Sequence, residues 1–110
     1  MKFLSRPEEF ILFAIWRLGE LAYCVEIRKE LRAVTRKNWS FGAIYVPLGR
    51  LEKRGLIKSR LASPTPTRGG RSKRYYTLTK YGLKALAAAR LVHESMWRGQ
   101  PRIVPDESVS

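Results

Sequence analysis

The sequence predicts an α+β, mainly helical fold of three helices, a two-stranded hairpin and a last helix. Three observations carry that expectation. Apolar residues recur at helical spacing in four separate segments. Between the third and fourth of these lie two short stretches of alternating character, as paired strands require. The stretches are separated by "SPTPTRGGRS", a loop by its two prolines and two glycines.

The first helix is expected from about Pro7 to Leu18. Pro7 suits a first turn, where its missing N–H costs nothing. Glu8 and Glu9 favour the positive end of the helix dipole. Ile11, Ala14, Ile15 and Leu18 form the core stripe, and Gly19 ends the helix. Phe10, Phe13 and Trp16 add apolar surface outside that stripe. Such a helix lies either at the centre of a small core or against a second subunit.

The second helix is expected from about Ala22 to Val34, with Ile27, Leu31 and Val34 inward. Arg28, Lys29, Arg32, Arg36 and Lys37 lie outward or just past its end, and part of that charge is a solvated face. Ser40 is a good N-cap for a third helix, spanning about 40–54. Phe41, Ile44, Leu48 and Leu51 give its core stripe, and Gly55 suits the position after its end. The opposite face carries Gly42, Val46, Gly49 and Lys53, short in the middle and basic at the end. A helix that must lie close to another surface has this form. Pro47 forgoes the bond to the Ala43 carbonyl and is expected to bend the helix or delay its start.

Leu56 to Ala62 alternates Ile57, Ser59 and Leu61 against Lys58 and Arg60. "KRYYTLT" returns, with Tyr76 and Leu78 on one face and Tyr75 and Thr77 on the other. Thr79 caps the last helix, Lys80 to about Trp97, which carries Leu83, Leu86, Ala87 and Leu91. The order of elements is that of a winged helix-turn-helix, with helices two and three as the helix-turn-helix and the hairpin as the wing. Residues 1–79 are expected to form this DNA-binding domain, 80–98 a dimerisation helix and 99–110 a disordered tail.

Charge says what such a fold would meet. Lys and Arg total 22 against 9 acids, a net +13 on 110 residues. Such a domain attracts polyanions, and double-stranded DNA is the expected partner. No membrane role is expected. The longest apolar run, Phe10 to Trp16, is too short to cross a bilayer, and no signal-peptide core follows the N-terminus. A cytoplasmic location follows as an expectation. Cys24, the single cysteine, excludes an internal disulfide and fits a reducing compartment. It is either a small packed thiol or a sensor with its pKa lowered at a helix start. No catalytic, metal or cofactor site is expected, since His93 has no second histidine to work with and the carboxylates are scattered.

The helix-turn-helix geometry turns the N-terminal part of the third helix towards base edges. Ser40, Gly42, Tyr45, Val46 and Gly49 are therefore the candidate base-facing residues, with Val46 suited to a thymine methyl. Arg50 and Lys53 lie further along and suit phosphates. The wing, about 62–74, adds Arg68, Arg71, Lys73 and Arg74 for phosphates or a narrow minor groove. Between Lys58 and Arg74 there are six cations and no acid. Replacing Arg68 and Arg71 with alanine is expected to leave thermal stability nearly unchanged. The slope of log affinity against log salt should fall by roughly 0.9 for each phosphate no longer engaged. An unchanged slope would reduce the wing-tip charge to an aid to solubility.

At "SFGAIYVPLGRLEKRGLIKS" joined to "RGGRSKRYYTLTKYG" the chain resembles the PadR family of bacterial transcriptional regulators. The pieces that match are Gly42 and Tyr45 in "GAIY", the run from Leu48 to Ile57, and "GGRSKRYYTLTKYGLKAL". The likeness extends from about Glu9 to Leu91. It implies a homodimer on a pseudo-palindromic operator, usually as a repressor, with the C-terminal helix at the dimer contact. Leu91, Val92, Met96 and Trp97, assisted by Phe10, Phe13 or Trp16, are the apolar residues suited to that contact. Trp97, Trp16 and Met96 would also line a shared cavity for a small aromatic effector, a habit of the family. Two features depart from its pattern. Little chain follows the last helix, and the proline of the related "YP-x-L" pattern stands one residue later, at Pro47. The alternative reading is a winged-helix module that binds RNA or protein and has no operator.

Overall fold

The computed structural model describes residues 2–62 and 73–105. Four helices, α1 (Arg6–Leu18), α2 (Cys24–Thr35), α3 (Phe41–Lys53) and α4 (Lys80–Trp97), accompany an antiparallel pair, β1 (Ile57–Leu61) and β2 (Arg74–Leu78). The chain thus has the α+β, mainly helical winged helix-turn-helix architecture. Helix α1 lies at its centre, packed against α2, α3, α4 and β2. Ile11, Leu12, Ala14 and Ile15 are buried there, while the second apolar face is only partly covered, with Phe10 and Phe13 half-buried and Trp16 exposed.

Helix α1 begins with a capping box. The Ser5 hydroxyl accepts from the Glu8 N–H at 3.3 Å, while the Glu8 carboxylate accepts from the Ser5 N–H at 2.7 Å. Gly19 ends the helix at φ 56°, where a side chain would be strained. A 3-10 turn, Gly19–Leu21, then leads to α2, which starts two residues later than the sequence pattern suggests. Ala22 is buried, and its carbonyl accepts from the Tyr76 N–H at 2.8 Å. Tyr23 forms an isolated bridge with Tyr75. The Ala22 carbonyl is committed to the sheet edge, and Tyr23, extended, becomes the N-cap of α2, its carbonyl accepting from the Ile27 N–H at 2.9 Å.

Ile27 and Leu31 bury the inner face of α2, but Val34 is half exposed. The last turn of α2 runs past the core, so Val34 borders a groove between α1 and α4 instead. Phe41, expected in the core stripe of α3, is also exposed, because the first turn of that helix lies at the rim. Its ring carries the Arg28 guanidinium at 4.8 Å. Ile44, Leu48 and Leu51 hold the core as expected. Pro47 sits buried within α3 and does not delay its start.

The strands pair from Ile57↔Leu78 to Leu61↔Arg74, with Tyr76 and Ile57 inward. Leu61 follows the alternation but lies exposed, since β1 outruns the core it covers. Helix α4 departs most from expectation. Gly82 is its buried residue, with Ala85 and Leu86 partly covered, whereas Leu83, Ala87 and Leu91 are exposed. The first turns of α4 pack on the domain; from Arg90 onward its residues are exposed, with His93 still bonded to Glu9 of α1.

Candidate nucleic-acid interface

The outer face of α3 begins at a well-braced turn. The Ser40 hydroxyl accepts from the Ala43 N–H at 3.1 Å and starts the helix. Just before it, the Trp39 indole donates to the Thr35 hydroxyl at 3.0 Å, and the Trp39 ring stands edge-on to Phe10 at 6.2 Å. Arg28 donates to the Trp39 carbonyl at 2.6 Å. One arginine of α2 therefore orients both the turn and, through Phe41, the first turn of α3.

Gly42, Tyr45, Val46, Gly49, Arg50 and Lys53 are all exposed on α3. A Cβ at Gly49 would meet nothing within 4 Å, and one at Gly42 would only touch the Ser40 hydroxyl at 4.0 Å. Neither glycine has a positive φ. For Gly49, in the helix interior, glycine costs about 1 kcal/mol relative to alanine, and within this chain neither packing nor backbone geometry repays it.

The rest of the surface is less free than its charge suggests. Tyr45 lies near Cys24, on the first turn of α2. Burial pushes the Cys24 thiol above its ordinary pKa, and this outweighs the opposing pull of Tyr45 and Arg28. The thiol is therefore protonated at neutral pH, and the sensor reading, which needs a lowered pKa, is corrected to that of a packed thiol. The neighbouring Cys24 also raises the pKa of the Tyr45 phenol, which stays neutral. Arg50 and Arg54 both reach Glu8, at 3.8 and 3.4 Å, tying the end of α3 to the start of α1. Burial tends to raise the Glu8 pKa. The Ser5 amide and hydroxyl, with Arg54 and Arg50, outweigh it and hold Glu8 below its usual value. This contribution to stability is present above the ordinary carboxylate pKa and is lost as pH falls through the lowered one.

The wing stem continues the basic surface. Arg74 donates to the Ser59 hydroxyl at 3.0 Å, which donates in turn to Glu52 of α3 at 2.8 Å. Lys73 lies over the Tyr23 ring at 4.4 Å and Arg60 over Tyr75 at 5.0 Å. Arg68 and Arg71 lie outside the described residues. Stem, α3 and α4 are joined at one knot. Gly55, at φ 75°, allows the Leu56 N–H to reach the Leu51 carbonyl and its own N–H the Glu52 carbonyl, closing the end of α3. The Thr79 hydroxyl donates to the Gly55 carbonyl at 2.6 Å and accepts from the Gly82 N–H at 3.1 Å, capping α4.

The two sets of site residues separate cleanly in space. The apolar set lies along α1 and α4, where Trp16, Leu91, Val92, Met96 and Trp97 are exposed and Phe10 and Phe13 are half-buried. A groove of about 660 Å³ runs between these helices, lined by Phe10, Phe13, Trp16, Val34, Leu83 and Leu86 among others. Trp16 belongs to this lining; Met96 and Trp97, on the last turn of α4, do not. His93 bonds to Glu9 at 2.9 Å across the same two helices. Among the described residues no His/Cys/Asp/Glu cluster suits a metal, and no helix is long and apolar enough to cross a membrane. Sequence reasoning missed the roles of Glu8, Arg28, Trp39 and Gly82. Of these only Glu8 carried a local signal, the Ser-x-x-Glu spacing of a capping box.

Comparison with known proteins agrees with this geometry. The family model of the transcriptional regulator PadR-like family matches residues 13–88. A transcriptional regulator from Clostridium thermocellum is 27% identical, with a TM-score of 0.67 over 83% of this chain and 85% of that one. A PadR family transcription regulator from Clostridium difficile is 26% identical, with a TM-score of 0.62 over 86% and 88%. A PadR-like transcription factor from Bacteroides fragilis shares the fold at 23% identity, with a TM-score of 0.72 over 83% and 82%. No curated protein matches the chain.

Proposed function

The chain belongs to the PadR-like family of transcriptional regulators, DNA-binding proteins rather than enzymes, and from that premise we propose that it is a repressor acting as a homodimer on a pseudo-palindromic operator. The observation that carries this reading is the low face of α3, where Gly42 and Gly49 leave open space beside Val46. A major groove admits one helix, and close seating brings backbone and short side chains to base edges and thymine methyls. No Asn, Gln or Arg stands in the first turns of α3 for a bidentate base contact, so specificity rests on fit, methyl contacts and DNA shape. Arg50, Lys53, Lys73 and Arg74 supply phosphate contacts, and Arg68 and Arg71 extend them in the wing.

The dimer part of the proposal rests on α4. Leu91 and Met96 are each about 60% exposed, Trp97 and Val92 about half, and Trp16 on α1 is exposed as well, towards the Leu83 end of α4. A contiguous apolar face of this kind marks an interaction surface. A second copy covering it would set two α3 helices on one side of the dimer, as a palindrome requires. A small aromatic effector at that interface belongs to the same reading, with Trp16 facing the groove. Genomic fragments selected by the purified protein are expected to share a recurrent palindrome, and sedimentation is expected to give a dimer at micromolar concentration. A monomer throughout, or fragments with no common motif, would overturn the proposal in favour of a module without an operator.

A further inference from the structure

Four described residues have a positive φ. Three are glycines, Gly19, Gly55 and Gly99, and the fourth is Arg36 at 59°. It ends α2, its N–H bonded to the Arg32 carbonyl at 2.8 Å. That left-handed position usually takes glycine or asparagine, because a Cβ there crowds the backbone. Among the described residues the other positive-φ positions are glycines, and this one carries an exposed arginine. Strain kept at an exposed position calls for a use outside the fold.

The surroundings say what the use is. Like most lysines and arginines among the described residues, Arg32, Arg36 and Lys37 make no ion pair, so their charge is open to a partner. The turn that carries Arg36 and Lys37 is held at both ends. The Thr35 hydroxyl donates to the Leu31 carbonyl at 2.7 Å and accepts from the Lys37 N–H at 3.3 Å and the Trp39 indole, while Arg28 fastens the Trp39 carbonyl. Cations on a fixed turn lose little freedom on binding. The turn leads within four residues to Ser40, the cap of α3. Four residues span at most roughly 14 Å, about the width of the groove that α3 enters. The residues just before its N-terminus are therefore within reach of the groove's edge, where the phosphates are.

We propose that Arg36, with Lys37, is a backbone-phosphate contact that sets how deeply the start of α3 seats in the groove, and that the left-handed conformation of Arg36 is retained to aim its guanidinium there. The inference rests on the placement of α3 given above. The test uses the full chain and a random-sequence duplex over a range of salt concentrations. Arg36→Gly is expected to keep its fold, with a thermal midpoint at or above that of the original chain, since glycine relieves the strain. Its slope of log affinity against log salt should fall by about 0.9. Arg36→Lys, which keeps the charge, should restore the slope. Arg102→Gly, the same loss of charge beyond α4, should leave it unchanged. If Arg36→Gly shows the original slope, or only the change seen for Arg102→Gly, while Gly49→Glu no longer binds, this proposal alone falls. If Gly49→Glu binds duplex normally, the placement of α3 falls and this proposal goes with it.

Discussion

Gly49→Glu is expected to abolish duplex binding while the domain unfolds within about 1 kcal/mol of the original chain. The new side chain starts in open space, because a Cβ at Gly49 meets nothing within 4 Å. Replacing a mid-helix glycine also recovers part of the roughly 1 kcal/mol that glycine costs there. Against DNA the same change adds bulk where α3 must seat closely and a charge that phosphates repel. The neighbouring substitution fails for a different reason. Leu48 is 1% exposed and faces Ile44 and Leu51 in the core. Leu48→Glu removes that packing and buries a charge with no partner, costing on the order of 5 kcal/mol. A domain of marginal stability does not survive that. Urea unfolding and duplex titration of the two variants separate the effects. Normal binding by Gly49→Glu would mean that the other side of α3, or another element, meets the DNA.

Gly82→Ala is expected to cost about 3 kcal/mol, far more than a change of one methyl in a helix suggests. Its Cβ would fall within the Leu56 carbonyl group, which is backbone and cannot rotate away as a side chain would. The Leu56 carbonyl is held besides, by the Thr79 N–H at 3.0 Å. Relief requires α4 to lift off the start of β1, which breaks the Thr79 cap and its bond to Gly55. The damage would spread, because the same knot closes α3 and sets the wing stem. Duplex affinity should therefore fall along with stability, unlike in Gly49→Glu. Unchanged urea unfolding in Gly82→Ala would show that α4 can move off at no cost and that the knot does not hold the wing.

Much of the fold was legible because it is local. Ser40 and Thr79 before apolar runs, Gly19 and Gly55 after them, and the alternation on either side of a Pro/Gly loop each reflect interactions within a few residues. The low face of α3 was legible for the same reason, since residues 42, 46 and 49 share one side of any helix at this register. Val34, Phe41, Leu83 and Leu91 were not. Their spacing places them on the correct faces, but periodicity does not say how far along a helix its neighbours extend. Val34, Phe41 and Leu91 lie where an element outruns the core, at the last turn of α2, the first turn of α3 and the far part of α4, whereas Leu83, in the first turn of α4, borders the groove against α1 instead of the core.

Binding partners of charged residues were similarly out of reach. The sequence counts cations, and only the fold shows that Arg50 and Arg54 share Glu8 from 42 and 46 positions away in the chain, that Arg74 leads through Ser59 to Glu52, and that Arg36 is held left-handed without an ion pair among the described residues. By itself the sequence determined the class of fold, the order and caps of its elements, the polyanion partner and the exposed face of α3. All of these follow from short-range geometry and net charge. The tertiary structure decided where apolar faces find cover, which cations are already paired and where two backbones touch, as at Gly82. Those depend on residues brought together from distant parts of the chain, and no local pattern encodes the distance between them.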